Sequence, residues 1–186
     1  MLYRNYRIES SRLKNWDYRL EGIYFITICT KFMDPVFGYV ANSQMILSEI
    51  GNIIDNYWRE IPIHFPLVQL DEYVVMPNHI HGIIIIPSVE TLHSNVSSKT
   101  NKNISNTTPL IPINQFMSKI SPKKGSISAI IRSYKSICTK LVNQKFGMGT
   151  NLWQPRFWDH IIRSENDLIR IRNYIKNNPQ KWEKDK

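Results

Sequence analysis

Two histidines separated by one residue, His79 and His81, open an apolar run that continues to Ile86. Read as a β-strand, the run sends alternate side chains to opposite faces, so both imidazoles share one side. Two neutral imidazoles so placed can hold one divalent metal ion, or they can be ordinary residues near a strand end. A third ligand would decide between these readings, and the C-terminal segment offers a candidate. Tyr174 and Asn178 stand four residues apart in a helical pattern, which predicts a phenol and a carboxamide on one helix face, one turn apart. A tyrosine at the border of a core and an asparagine chosen for turn chemistry before Pro179 would give the same residues without chemistry. The third cluster is Trp153-Gln154-Pro155-Arg156-Phe157-Trp158-Asp159-His160, where Arg156 and His160 interleave with aromatic rings. Such a surface can stack unpaired bases and hold phosphates. At least one of Trp153, Phe157 and Trp158 is expected to cover the sheet instead. Arg132 and Lys135 project from the polar side of a helical segment, as phosphate contacts or as a solvated face.

These residues need a scaffold, and the pattern of apolar positions supplies one. Gly22 to Lys31 alternates β-branched and aromatic residues and ends near Asp34-Pro35, a turn signal. Short strands follow at Val36 to Val40 and Gln44 to Leu47. Ser48 then caps a helix whose apolar positions Ile50, Ile53, Ile54, Tyr57, Trp58 and Ile61 recur at helical spacing until Pro62. Val68 to Met76 and His79 to Ile86, joined by Met76-Pro77-Asn78, are hairpin partners at the sheet centre. Residues 88–124 are rich in Ser, Thr, Asn and Lys and read as a long flexible insertion into one domain spanning 1–186. The helical period returns over Gly125 to Phe146, with Ile127, Ile130, Ile131, Tyr134, Ile137 and Leu141 on one side. Trp153 to Arg163 is β-prone, and Ser164 with Asp167 resembles a capping box for a last helix that ends before Pro179. This order predicts an α+β fold, a mainly antiparallel sheet with helices packed on one face.

The 186 residues carry a net charge of +9, with a pI near 9.6. The charge is uneven. Residues 1–20 hold five Lys/Arg against two acids, and 125–186 hold twelve against five, whereas 21–87 hold two against seven. Basic flanks around a mildly acidic centre suit a polyanion, with nucleic acid the leading partner. No apolar run approaches the roughly 20 residues of a membrane span, and Met1 to Arg12 has no apolar signal core. Cys29 and Cys138 alone do not make a disulfide framework, so a reducing cytoplasm is expected.

Several motifs then occur in a fixed order: Val75-Met76-Pro77-Asn78-His79-Ile80-His81-Gly82, Ser133-Tyr134-Lys135-Ser136, Trp153-Gln154, Asp159-His160-Ile161-Ile162-Arg163, and Tyr174-Ile175-Lys176-Asn177-Asn178-Pro179. Together they resemble the REP-associated tyrosine transposases, which belong to the single-tyrosine HUH transposases of insertion sequences. The resemblance runs from Arg12-Leu13 and Asp17-Tyr18 to Trp182 and leaves out only 88–124. It implies a ferredoxin-like or RRM-like fold, with the histidines on a central strand and the nucleophile on a helix beside it. It also implies Tyr174 as nucleophile, His79, His81 and Asn178 as ligands of Mg²⁺ or Mn²⁺, and cleavage and rejoining of single-stranded, hairpin-containing DNA through a 5′-phosphotyrosine. Arg12, Arg132, Lys135, Arg156, Trp158, His160 and Arg163 are the expected DNA contacts. Relatives imply either a monomer or a homodimer that shares active sites. Two other readings stay open: a non-catalytic DNA- or RNA-binding relative, and a metal-dependent nuclease that uses activated water.

Overall fold

A computed structural model of the chain describes residues 21–87, 125–149 and 151–182. Arg12 and the 88–124 insertion lie outside the described residues. Four strands, β1 (Gly22–Cys29), β4 (Gln69–Met76), β5 (His79–Ile86) and β6 (Trp158–Ile162), form one antiparallel sheet in the order β4-β5-β1-β6. Two short strands, β2 (Gly38–Ala41) and β3 (Gln44–Leu47), pair as a separate ribbon. Helix α1 (Glu49–Arg59) connects the ribbon, through the single turn α2 (Ile61–His64), to β4. Helix α3 (Ile127–Phe146) connects β5 to β6 from the far side of the insertion, and α4 (Glu165–Lys176) and α5 (Asn178–Trp182) close the described chain. Two strand–helix–strand units interleaved in one sheet make the ferredoxin-like arrangement expected from the motifs.

Local chemistry sets the helix boundaries. Ser48 Oγ accepts from Gly51 N at 3.0 Å and starts α1; Ser126 and Ser164 do the same for Ala129 N and Asp167 N at α3 and α4. Gly147, with φ +61°, ends α3 in the left-handed conformation that glycine adopts without a Cβ clash.

The expected one-face layer holds for α1 and α3, which cover the side carrying Tyr24, Ile26, Ile28, Ile80 and Ile84 and bury Trp58, Ile130 and Tyr134 against it. Helix α4 lies on the other side, where Phe25, Ile83 and Ile162 meet Ile171 and Ile175 in a smaller core. The reason is in the strands. β1 and β5 are central and apolar on both faces, so both faces must be covered. Trp153 is one of the aromatic residues that cover the sheet: it is fully buried, bridges to Thr30 and packs at a tilt against Phe37 and Tyr134. Among the described residues no helix is long and apolar enough to cross a membrane.

Candidate active site

β5 places His79 and His81 on the α4 side, as the alternation predicts, with Gly82 between them and the apolar end of the strand. In the sheet register Thr27 lies directly opposite His81, and its Oγ1 is 2.8 Å from His81 Nδ1. His79 Nδ1 meets Asn78 Oδ1 at 2.7 Å, while Asn78 Nδ2 donates to the Met33 carbonyl at 2.9 Å. That second bond orients the amide, so His79 Nδ1 must carry the hydrogen and Nε2 keeps a lone pair. Burial holds both rings neutral, with His79 lowered to about 4 and His81 to about 3, the latter also disfavoured by a charge on His79. The ring centroids are 4.5 Å apart. Two neutral imidazoles, each steadied through Nδ1 by a side-chain partner, are the donor chemistry of a divalent metal site.

Tyr174 reaches these histidines from α4. Leu168, Ile171 and Ile175 dock the helix on the second core and leave Tyr174 at its edge, 38% exposed. Its hydroxyl is 3.2 Å from His81 Nε2, and its ring stands edge-on to Phe25 at 6.0 Å. Both groups belong to one chain, so this pair needs no second copy. Two ion pairs hold α4 in register on β4: Arg172 grips Asp71 through two nitrogens, with Nε at 2.9 Å, and Lys176 Nζ is 3.3 Å from Glu72. A register shift between Leu70 and Tyr73 brackets both acids, and such a bulge re-aims side chains. The Arg172 bond keeps the Asp71 carboxyl below the usual carboxylate range.

Asn178 departs from the predicted geometry. Pro179 has no N–H to continue the ladder, so α4 stops at Lys176, Asn177 caps it, and Asn178 opens α5 instead of following Tyr174 on one helix. Asn178 is nevertheless buried. At the other end of α5, the Trp182 ring packs 5.8 Å from His79, and Lys181 Nζ lies 5.5 Å from the Tyr174 ring centroid. Among the described residues no three His, Cys, Asp or Glu side chains cluster for a metal.

The expected DNA contacts divide. Trp158 and His160 join Phe25, Thr27, His81, Arg170, Ile171 and Tyr174 around an open cleft of about 460 Å³. Arg156 and Arg163 are exposed at either end of β6. Arg132 is exposed on α3, which covers the sheet face away from the histidines. Lys135 is not an open cation: its ammonium donates to the carbonyls of Gln154, Pro155 and Arg156 and ties that loop to α3. Burial pulls it down to about 8. Arg170, Thr27, Asn78 and Lys181 were missed by sequence reasoning. Two of them carried a signal: Asn78 lies within the Val75–Gly82 motif, and Arg170 stands four residues before Tyr174 and hence on the same helix face.

No protein-family model matches the chain. The chain is 40% identical over 179 residues to an uncharacterised protein of Haemophilus influenzae, a match covering 95% of this chain and 90% of that protein. It is 21% identical over 166 residues to a second Haemophilus influenzae protein, provisionally named a REP-associated tyrosine transposase, with 89% of this chain and 74% of the other covered. Among solved structures it is similar to a REP-associated tyrosine transposase bound to a REP hairpin, with a TM-score of 0.54 and 19% identity over 91% of this chain and 74% of that one. That likeness shows a shared fold.

Proposed function

We propose that this chain, which belongs to one family with the 40%-identical Haemophilus influenzae protein and resembles the REP-associated tyrosine transposases, cuts and rejoins single-stranded DNA flanking a hairpin. The observation that carries this reading is the Tyr174 hydroxyl 3.2 Å from His81 within one chain, beside His79. In the reaction, Tyr174 Oη attacks a phosphodiester phosphorus. A P–O bond to the phenol forms as the P–O3′ bond breaks, leaving a 5′-phosphotyrosine and a free 3′-hydroxyl, with the phenolic proton balanced on the departing 3′-oxygen. The covalent link conserves the phosphodiester, so a 3′-hydroxyl attacking it reverses the step and joins strands.

A free phenol has a pKa near 10 and is a weak nucleophile at neutral pH. His81 addresses this from the protein side, because its neutral ring offers Nε2 to the phenolic hydrogen while Thr27 engages Nδ1. The neutral imidazoles of His79 and His81 and the buried amide of Asn178 are suited to hold Mg²⁺ or Mn²⁺, which when bound would polarise the scissile phosphate. The lone pair on His81 Nε2 can serve the phenol or a cation, not both. The Arg172 and Lys176 ion pairs set the resting position of α4, and with it Tyr174, beside the histidines.

The test is a denaturing gel of labelled hairpin DNA with single-stranded flanks, incubated with the protein and Mn²⁺ or Mg²⁺ beside Tyr174→Phe. A cation-dependent, protease-sensitive shifted band from the parent, absent from the variant, is expected. Cleavage retained by Tyr174→Phe would refute the nucleophile, and hydrolysed ends without an adduct would favour activated water instead.

A further inference from the structure

The cleft extends beyond Tyr174 along β6. Trp158 and His160 are two residues apart on this edge strand, so their rings rise from the same face. They lie nearly parallel, 9° between planes and 6.1 Å between centroids. Further along that face Ile162 is buried beneath α4, but the helix leaves Trp158 45% exposed. The orientation of both rings is fixed from outside the pair. Phe25 meets the Trp158 ring edge-on at 5.5 Å and 76°. Asp167 holds His160 Nε2 at 2.9 Å and also binds the Arg170 guanidinium, and its own backbone N–H is tied to the Ser164 cap. The result is a preorientated pair of near-parallel rings, with the exposed, Asp167-paired Arg170 guanidinium beside it. Phe25 also packs against His81 at 5.3 Å and Tyr174 at 6.0 Å, so Trp158 stands one ring away from the phenol.

We propose that this part of the cleft holds one unpaired nucleobase, stacked on the exposed Trp158 ring beside His160, with Arg170 taking a phosphate of the same strand. Every base has a flat π-face, and aromatic stacking of single-stranded bases tolerates sequence. A base within a duplex keeps its faces covered by its neighbours and cannot stack on Trp158. A solvent-exposed guanidinium, paired with Asp167 through one nitrogen and lying next to an apolar ring, suits a ligand that is flat at one point and anionic at the next. The placement rests on the proposed strand transfer for what is cut, since it sets one base beside the phosphodiester offered to Tyr174. Binding itself requires no cleavage.

The test uses the full chain carrying Tyr174→Phe, in EDTA, so that no bond is cut. Fluorescence anisotropy compares a mixed-sequence single-stranded 20-mer with the same sequence as duplex. Trp158→Ala is expected to weaken single-strand binding roughly tenfold or more, Trp158→Phe to restore it to within about threefold, and duplex binding to stay within about twofold. Unchanged single-strand affinity in Trp158→Ala would overturn the subsite, as would equal losses for single strand and duplex. If the parent forms the covalent adduct while Trp158→Ala binds normally, the subsite fails and the reaction stands. Selective loss in Trp158→Ala from a parent that never forms an adduct keeps the subsite and removes the reaction.

Discussion

Gly82 is the point where β5 approaches the Trp58 ring of α1 most closely. It follows His81 on β5 and points to the α1 side, where a Cβ added to it would lie 2.3 Å from Trp58 Cζ2 and 3.0–3.1 Å from two neighbouring ring atoms. Carbon atoms pack best at roughly 3.5–4.0 Å, so Gly82→Ala demands more than 1 Å of movement. Neither side can give readily. Trp58 is fully buried, with Tyr73 at 6.0 Å and Tyr134 edge-on at 5.3 Å, and Gly82 is paired to Ile26 on one side and Tyr73 on the other. Overpacking costs about 1–3 kcal/mol, and a clash with no flexible partner belongs near about 3. For a chain of this size that lowers Tm by about 6–12 °C. Thermal unfolding followed by circular dichroism reads this directly. Trp58→Phe removes the clashing ring edge, so the double variant should recover at least about 1 kcal/mol relative to the sum of the single effects. A Gly82→Ala protein melting within about 2 °C of the parent, with no coupling to Trp58→Phe, would refute the packing argument.

Two further outcomes follow from the site. Tyr174→Phe frees the His81 Nε2 lone pair, and because the lost hydrogen bond is long and its phenol half-exposed, it is worth about 0.5–1 kcal/mol; Mn²⁺ affinity measured by titration calorimetry should rise about two- to fivefold, and unchanged or weaker binding would remove His81 Nε2 as the shared donor. Because Arg172 depresses the Asp71 pKa in the folded protein, the ion pair stabilises above the ordinary Asp value of about 4 and is lost as pH falls through the lower folded value. The gap in urea midpoint between parent and Asp71→Asn should therefore be open at pH 6 and narrow by pH 3; a constant gap would mean that the ion pair contributes nothing.

Strand periodicity made much of the scaffold legible. The alternation in Gly22–Cys29 and His79–Ile86, the Met76-Pro77-Asn78 connection and the serine caps each act within a few residues, and each is found where the pattern put it. The shared face of His79 and His81 follows from the same two-residue period. What spacing could not give was anything set by a distant partner. Lys135 looks like any cation on a helix surface until the loop at 154–156 turns three carbonyls toward it. Tyr174 and Asn178 have perfect helical spacing, yet one missing N–H at Pro179 divides them between two helices. Thr27 carries no motif and acquires its place only because β1 pairs with β5 in the register that sets it against His81.

The two faces of the sheet hold the site with unequal strength, and that bears on where its geometry is decided. The α1–α3 side is a large core that fixes β1 and β5, and with them Thr27, His79 and His81. Among the described residues the α4 side has five buried apolar residues, so the position of Tyr174 depends on a smaller contact plus the Asp71–Arg172 and Glu72–Lys176 pairs. A helix held by few buried contacts opens locally at lower free energy than the core strands. The histidines are thus the fixed half of the site and the tyrosine the adjustable half. This ordering matches the chemistry proposed for them, because a nucleophile that leaves His81 to meet a phosphorus must move, whereas donors for a cation must not.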